Sequence, residues 1–292
     1  SIKAMYVVGE NPALSFPHLS LVREALASLE FLVVQDMFLT ETAKLATVVL
    51  PAASFAEKEG TCTSIDGLVQ RLHQAIEPPG ASLADWRIFV ELAKRMGRPM
   101  DYSSPGQVMR EISEFVPLYR GIDYARLEER GIYCTGPRPG LEGKAAEGER
   151  ASTPPPSFTP IEYVPPEDGA HDDYPLSLMV GSVLYHFGSG TRSLRSASLS
   201  SMAPEGFVEV NREDGERLKV SEGETVRVVS PVGEVTVTAR VTDMVPAGTL
   251  WMPSCFPRSP AHGLFPISLD EKTKTPSLKT CPVRLERVGQ DG

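Results

Sequence analysis

The sequence predicts an α/β domain followed by a small β-barrel domain. Residues 4–50 alternate apolar, strand-like runs with helical segments, whereas residues 205–253 contain short runs of alternating polarity joined by tight turns. A chain of 292 residues is long enough for two hydrophobic cores. The expected divisions are a partial α/β domain over residues 1–135, a proline-rich linker over 136–173 and a barrel over 174–292.

The first domain is expected to contain a parallel sheet. Apolar runs at residues 4–8, 31–35 and 47–50 predict three strands, and an amphipathic segment at residues 19–29 predicts the helix between the first two. Thr40 is expected to cap a short helix before the third strand. Strand, helix and strand in this order give parallel strands with right-handed crossovers, and ligands of such sheets bind at the carboxyl ends of the strands.

Two further helices are predicted over residues 83–97 and 104–115, before the composition changes. The stretch 136–175 contains nine prolines with Gly, Ser and Glu between them, and it has too few apolar residues to bury a core. Beyond it, period-two runs and a hairpin signal at Ser230-Pro231-Val232-Gly233 indicate a compact β-barrel with one helix. The expected barrel elements are strands at 175–181, 207–210, 225–229, 234–241 and 249–253, and a helix at 212–218 that is capped by Asn211.

Composition excludes several classes of function. The formal charge is −9 and the sequence pI is about 5.2, which argues against a nucleic-acid or anionic-membrane partner. No apolar run approaches the roughly 20 residues of a membrane helix, and we expect no secretory leader. The four cysteines are widely spaced and form no CxxC pair, so we expect no iron–sulfur cluster in this chain. Their spacing also predicts buried, unpaired thiols in a reducing cytoplasm. They are Cys62, Cys134, Cys255 and Cys281.

Polar residues at the carboxyl ends of the predicted strands are the first candidates for a binding site. Asn11 lies in a turn after the first strand, and Asp36 ends the second, where a carboxylate can accept two hydrogen bonds from a ribose diol or a guanine edge. Lys58 follows the third strand and could meet a phosphate. Each also has an ordinary structural interpretation: a strand-ending turn for Asn11, a helix cap or a solvated charge for Asp36, a surface cation for Lys58.

A second candidate site is the segment at residues 181–191. It joins a strand end to glycines, hydroxyls and His186, a combination that can cradle phosphates. A packed histidine is the alternative for His186. Asp85 lies at the start of a predicted helix and is a further candidate for a ligand contact. The alternative is that its negative charge only stabilises the helix N-terminus.

The order of these segments resembles the molybdopterin-guanine-dinucleotide oxidoreductases, and most closely the catalytic subunits of formate dehydrogenases. In the first half the matching runs are GENPALSFPHLSLVREAL, FLVVQDMFLTETAKLATVVLPAASFAEKEGTCT, VQRLHQAIEPPG and DWRIFVELAKRMG. In the second half they are VLYHFGSGTRS, FVEVNREDGERL, GETVRVVSPVGEVTVTARVTD, VPAGTLWMP and KTKTPSLKTCPVRLE. The resemblance implies a Rossmann-like first domain and a double-psi-type barrel.

The resemblance also implies a function. This chain would be the C-terminal, cofactor-binding part of a molybdenum or tungsten oxidoreductase that converts formate to CO2, with bis-molybdopterin guanine dinucleotide (bis-MGD) shared with an N-terminal iron–sulfur portion that it lacks. Electron-transfer subunits would be further partners, and the chain alone would be inactive. The implied cofactor contacts, with no catalytic residue and no metal ligand among them, are Asn11, Gln35, Asp36, Thr40, Lys58, Asp85, Gly181, Leu184, Tyr185, His186, Gly188, Ser189, Gly190, Thr191, Phe256 and Lys279.

Four positions depart from the family pattern. Ser64 and Leu68 stand where the family has Asn and Arg, Ser182 stands where an arginine is common, and His262 occupies the place of an asparagine near the pterin. The loss of cations near the pyrophosphates leaves an alternative open: a structural, cofactor-free subunit or pseudoenzyme fragment of an electron-transfer complex.

Overall fold

The computed structural model describes residues 2–134, 158, 160 and 170–288. By their contacts these residues form two compact units. One comprises residues 1–34, 38–49 and 163–292, and the other comprises 35–37 and 50–162. The predicted linker lies almost entirely outside the described residues, and the predicted domain boundaries therefore stay predictions.

The N-terminal elements form the expected three-stranded sheet, in the order β1-β2-β3. Thr47 N donates to Leu32 O (2.8 Å), and farther along both strands Ala52 N donates to Asp36 O (3.1 Å), so that β2 and β3 run parallel. The elements are β1 (Ala4–Val8), α1 (Pro12–Ser15), α2 (Leu19–Ala27), β2 (Phe31–Asp36), a 3₁₀ turn (Ala43–Leu45) and β3 (Val48–Pro51).

Helix α2 covers one face of this sheet. Leu26 is buried against Leu32 and Val34 of β2 and against Val7 of β1, and the half-buried Val22 packs on the same cluster. The alternation of β2 places Leu32 and Val34 on the same side, as a strand period of two requires. The apolar i, i+4 spacing on α2 therefore directs the crossover onto the sheet.

The second compact unit contains an antiparallel sheet that the sequence pattern does not predict, in the order β4-β5-β6. Val69 of β5 is fully buried and packs with Met109, Ile122 and Leu127. The strands are short and lack a clear period of two, so no periodic signal marks them. The elements are β4 (Gly60–Thr63), β5 (Leu68–Leu72), α3 (Asp85–Arg95), α4 (Pro105–Phe115), α5 (Tyr124–Glu129) and β6 (Ile132–Tyr133).

The remaining strands close into a six-stranded barrel, in the order β10-β8-β11-β7-β12-β9. The β7–β11 and β8–β10 pairs are parallel, and the other pairs are antiparallel. Buried aliphatic side chains from all six strands fill its core. The elements are β7 (Leu176–Gly181), α6 (Ala197–Met202), β8 (Phe207–Asn211), α7 (Arg212–Leu218), β9 (Thr225–Ser230), β10 (Gly233–Thr242), β11 (Thr249–Pro253) and β12 (Thr280–Arg287).

Three of the four cysteines are buried as expected, and the expectation is wrong for Cys62. Cys134, Cys255 and Cys281 are buried, whereas Cys62 is exposed. Cys62 lies on β4, the edge strand of the small antiparallel sheet, where only one strand covers it. Burial raises the pKa of the Cys255 thiol to about 11 and that of Cys281 to about 12.

Within the described part of the chain, no helix has the length and apolar character needed to cross a bilayer. The same residues contain no grouping of three or more His, Cys, Asp or Glu side chains that could hold a metal ion.

Candidate functional site

The turn after β1 is held by the side chain of Asn11, which is 6% exposed. Its Oδ1 accepts hydrogen bonds from Thr42 N (3.0 Å) and Thr42 Oγ1 (2.8 Å), and its Nδ2 donates to Glu41 Oε2 (2.7 Å). The preceding Gly9 has φ of +63°, a conformation that favours glycine. The side chain of Asn11 thus bonds to the turn that follows β2.

Hydroxyl groups after β2 cap the neighbouring helical turns. Thr42 Oγ1 accepts from Ala13 N (3.1 Å), the second residue of α1, whereas the N-cap residue Asn11 provides no side-chain cap of its own. Thr40 is buried, and its Oγ1 accepts from Ala43 N (3.2 Å) at the start of the 3₁₀ turn. Thr40 thus bonds the first N–H of this turn as a cap would, although the N-cap residue is Thr42 and the helix is a single 3₁₀ turn.

Three predicted site residues meet in a charged network. Gln35, at the end of β2, is fully buried, and its Nε2 donates to Asp85 Oδ1 (2.7 Å). Lys58 Nζ forms an ion pair with the other oxygen, Asp85 Oδ2. The side chains of Lys58 and Asp85 remain about a third exposed, at 30% and 31%. An ammonium and a carboxylate are thereby presented next to each other at the carboxyl end of a parallel strand.

The position of Asp85 follows from how α3 begins. Leu83 forms a parallel bridge with Ala52, directly after β3, and Ala53 N donates to Leu83 O (2.8 Å). Two residues later Asp85 opens α3, whose N-cap Ala84 supplies no side-chain cap. A carboxylate in the first turn is stabilised by the helix dipole. The bridge between Ala52 and Leu83 therefore places the start of α3, and with it Asp85, at the carboxyl end of β3.

Asp36 ends β2 and is half-buried. Its backbone carbonyl accepts from Ala52 N, which fixes the strand end in the sheet. The next helical turn begins at Ala43, with Thr42 as its N-cap residue, so the alternative of Asp36 as a helix cap does not apply to the elements described.

His186 braces the segment at residues 181–191 from inside. The imidazole is 4% exposed, with Nε2 2.7 Å from Ala203 O and Nδ1 3.2 Å from Ser193 Oγ. Because a carbonyl only accepts, Nε2 donates to Ala203 O. The ring meets buried Phe256 edge-on at 5.3 Å between centroids. Both ring nitrogens are therefore engaged by residues that follow the segment, Ser193 and Ala203.

The other residues of this segment differ in exposure. Leu184 is 89% exposed and Tyr185 37% exposed, and Lys279 is also exposed. Ser189 Oγ lies 2.8 Å from Thr191 Oγ1. The surface that this segment offers to a ligand is therefore made of apolar side chains, hydroxyls and backbone.

Three glycines shape the segment. Gly188 and Gly190 have φ of +56° and +76°. A Cβ at Gly190 would lie 2.2 Å from Cys255 O, and one at Gly181 would lie 2.9 Å from the Trp251 indole. No neighbouring heavy atom lies within 4 Å of the corresponding point at Gly188. Close packing thus requires glycine at 181 and 190, and the backbone at 188 is open.

Three of the four residues that depart from the family pattern have defined local contacts. Ser64 and Leu68 close the β4–β5 hairpin, in which Ser64 N donates to Leu68 O (2.9 Å). His262 lies in a 3₁₀ turn (Ala261–Leu264), where the backbone of Ser15 and Leu14 raises the pKa of the imidazole and so partly offsets the lowering by burial. Its Nδ1 is buried without a hydrogen-bond partner among the described residues.

Sequence reasoning missed Glu41 and Thr42 as site residues, and it missed a cleft of about 890 Å³. The polar run Thr40-Glu41-Thr42, directly after a strand end, is a signal that could have indicated the first two. The cleft runs beside α3, and among the residues that line it are Pro51, Leu83, Trp86, Arg95 and Tyr102.

The chain matches two families over separate parts of its length. Residues 1–95 match the family described as Molybdopterin oxidoreductase, and residues 176–282 match the one described as Molydopterin dinucleotide binding domain. Among curated proteins, the F420-dependent formate dehydrogenase subunit alpha of Methanocaldococcus jannaschii is 40% identical over 99% of this chain and 44% of its own length. Formate dehydrogenase H of Escherichia coli is 32% identical over 98% of this chain and 41% of its own length.

A solved structure supports the fold. Acetylene hydratase from Pelobacter acetylenicus superimposes with a TM-score of 0.75 at 17% identity, over 98% of this chain and 44% of that one. The chain thus spans less than half the length of these relatives. It combines a Molybdopterin oxidoreductase part (residues 1–95) with a molybdopterin dinucleotide-binding part (residues 176–282), and it is related over nearly its whole length to proteins named formate dehydrogenases.

Proposed function

We propose that this chain is the cofactor-binding part of a formate dehydrogenase-like molybdenum or tungsten oxidoreductase. The observation that carries the proposal is the network of Gln35, Lys58 and Asp85 at a strand end, where ligands of parallel sheets bind. Its cofactor would be bis-MGD. Two relatives are named formate dehydrogenases, and this supports formate as the substrate.

The network has the chemistry that a guanosine phosphate needs. A carboxylate can accept two hydrogen bonds from the N–H groups of a guanine edge or from a ribose diol, and an ammonium can bind a phosphate oxygen. Both oxygens of Asp85 are engaged, one by Gln35 and one by Lys58. A nucleotide that donates to Asp85 would displace Lys58 and leave its Nζ available to a phosphate. Asp36, on the same strand end as Gln35, is the second proposed carboxylate contact.

The network of Gln35, Lys58 and Asp85 would contact one arm of bis-MGD, and the segment at residues 181–191 is proposed to contact the other arm. Its support is the open backbone at Gly188, the hydroxyls of Ser189 and Thr191, and the exposed side chains of Leu184 and Tyr185. Lys279 is a further proposed contact. His186 and Phe256 would act indirectly, because their side chains pack against each other and hold the loop in position. Two parallel strand pairs in an otherwise antiparallel closed barrel also support the double-psi assignment.

When bound, bis-MGD with its metal would supply the two-electron chemistry of formate oxidation. The residues of this chain would bind and orient the nucleotide and pterin ends. The metal ligand and the iron–sulfur ligands would come from an N-terminal portion, electrons would leave through further subunits, and the location would be the cytoplasm. The chain alone would then be inactive, and formate-dependent dye reduction by the purified chain would contradict this.

The test measures retained pterin in the complex that contains this chain. Lys58→Met should lower the retained pterin about tenfold, since the loss of roughly 1.4 kcal/mol of binding free energy lowers affinity tenfold, and Asp85→Asn should act in the same direction. Lys94→Met changes an exposed lysine at the other end of α3 and should retain pterin as wild type does.

Pterin fluorescence after oxidation and metal analysis give the readout. Unchanged pterin in both site variants would remove the network from the binding site. A wild-type complex with neither pterin nor metal would favour the cofactor-free structural subunit.

A further inference from the structure

The turns that follow β1 and β2 are joined by a buried clasp between Asn11 and Thr42. We propose that these two residues are positioning residues: they hold the turn at residues 9–12 in place, so that a ligand at this sheet edge meets the backbone of Gly9 and Glu10 and not the amide oxygen of Asn11. This inference rests on the proposed function, because it concerns the same ligand.

The two side-chain oxygens of the clasp, Asn11 Oδ1 and Thr42 Oγ1, use their hydrogen-bonding capacity within it and at Ala13 N. An amide oxygen has two lone pairs, and Oδ1 of Asn11 accepts both the N–H and the hydroxyl of Thr42. The Thr42 hydroxyl donates its one hydrogen to Asn11 and accepts from Ala13 N. Thr42 is fully buried, and Ala13 is 1% exposed. These polar atoms are therefore withdrawn from any ligand outside the turn.

The clasp replaces a cap that α1 cannot supply for itself. Asn11 occupies the N-cap position with φ of −125° and ψ of 62°, and its side chain makes no cap bond. An uncapped and buried N–H at Ala13 would cost free energy, and Thr42 satisfies it from 29 residues away in sequence. The position of α1 thus depends on the turn after β2.

The clasp leaves the backbone of Gly9 and Glu10 accessible. Glu10 is exposed and Gly9 is exposed, with no neighbouring heavy atom within 4 Å of the point where a Cβ would stand. The N–H and C=O groups of this turn can approach a ligand closely only while the turn keeps its place. Loss of the Thr42 hydroxyl would leave Ala13 N without its acceptor and would release the turn.

The experiment compares Thr42→Val, which is nearly isosteric but lacks the hydroxyl, with Thr42→Ser, which keeps it. Asn11→Ala and the double variant Asn11→Ala/Thr42→Val complete a cycle. All variants are measured in the complex, at the same interval below each melting temperature, for retained pterin and for amide hydrogen exchange of the segment 9–14.

We expect Thr42→Val to raise amide hydrogen exchange in the segment 9–14 about tenfold and to lower retained pterin severalfold. Thr42→Ser should stay close to wild type in both measurements. The double variant should be no worse than either single variant. Normal exchange and pterin in Thr42→Val, together with pterin loss in Asn11→Ala, would overturn the proposal and make Asn11 a direct contact. If the wild type holds no pterin, the proposed function fails, while coupled exchange effects in the cycle still support the clasp and additive ones contradict it.

Discussion

The imidazole of His262 lies in the 3₁₀ turn that packs against α1 and α2. Burial lowers the pKa of this histidine below its ordinary value of 6.5, and the carbonyls of Leu14 and Ser15, which favour the protonated ring, offset this only in part. The neutral ring is therefore the form that fits the folded chain.

A pH dependence of stability follows from His262. As pH falls below about 6.5, the unfolded chain takes up a proton that the folded chain resists, so the free energy of unfolding decreases toward lower pH, by at most about 1.4 kcal/mol per pH unit. His262→Gln, which cannot titrate, should remove this contribution between pH 6.5 and 5. Urea unfolding at several pH values measures it, with the exposed His73→Gln as control. An unchanged slope in His262→Gln would contradict the assignment.

At the scale of elements, the glycines of the segment at 181–191 have separable roles. Gly188→Ala introduces a left-handed alanine into open space and should cost about 1 kcal/mol. Gly190→Ala adds the same strain and a collision with Cys255 O, and it should cost about 3 kcal/mol or more. Denaturant unfolding of both variants gives the comparison. Equal losses would mean that the backbone at 190 can shift freely.

Elements with local signals could be predicted from the sequence. Helix α7 begins after Asn211, whose Oδ1 accepts from Glu213 N (2.9 Å), and the β9–β10 hairpin turns between Ser230 and Gly233, as predicted. Strand β11 has the predicted bounds, residues 249–253. In these cases the capping residue, turn residues or period of two lie within the element itself.

Features that depend on distant residues could not be predicted. In the sheet formed by β4, β5 and β6, residues 60–63 pair with residues 69–72, and residues 68–69 of β5 pair with residues 132–133 of β6, which lie far along the chain. The partner of Asn11 is Thr42, and that of Gln35 is Asp85, 50 residues away. Resemblance to a family could name Gln35, Lys58 and Asp85 as site residues, but their mutual bonds follow only from the packing of α3.

At the scale of the whole molecule, residues near both ends of the chain contribute to one compact unit. Residues 1–34 and 163–292 belong to the same unit, and the 3₁₀ turn at Ala261–Leu264 packs against α1 and α2. A Cβ at Gly263 would lie 3.5 Å from Leu19 Cδ1. The barrel and the first helices therefore share a packed contact, although the proline-rich stretch separates them in sequence.

Limited proteolysis tests this arrangement. The composition of residues 136–173 predicts the first cut there, since a stretch without a core offers its backbone to a protease. Because both fragments contribute to the same compact unit, they should stay associated after the cut: one peak by size-exclusion chromatography of the native protein and two bands on a denaturing gel. Early cuts within residues 4–50 or 205–253 would contradict the predicted linker. Fragments that separate without denaturant would instead show that the contact of α1 and α2 with the 3₁₀ turn is too weak to hold the barrel to the first helices.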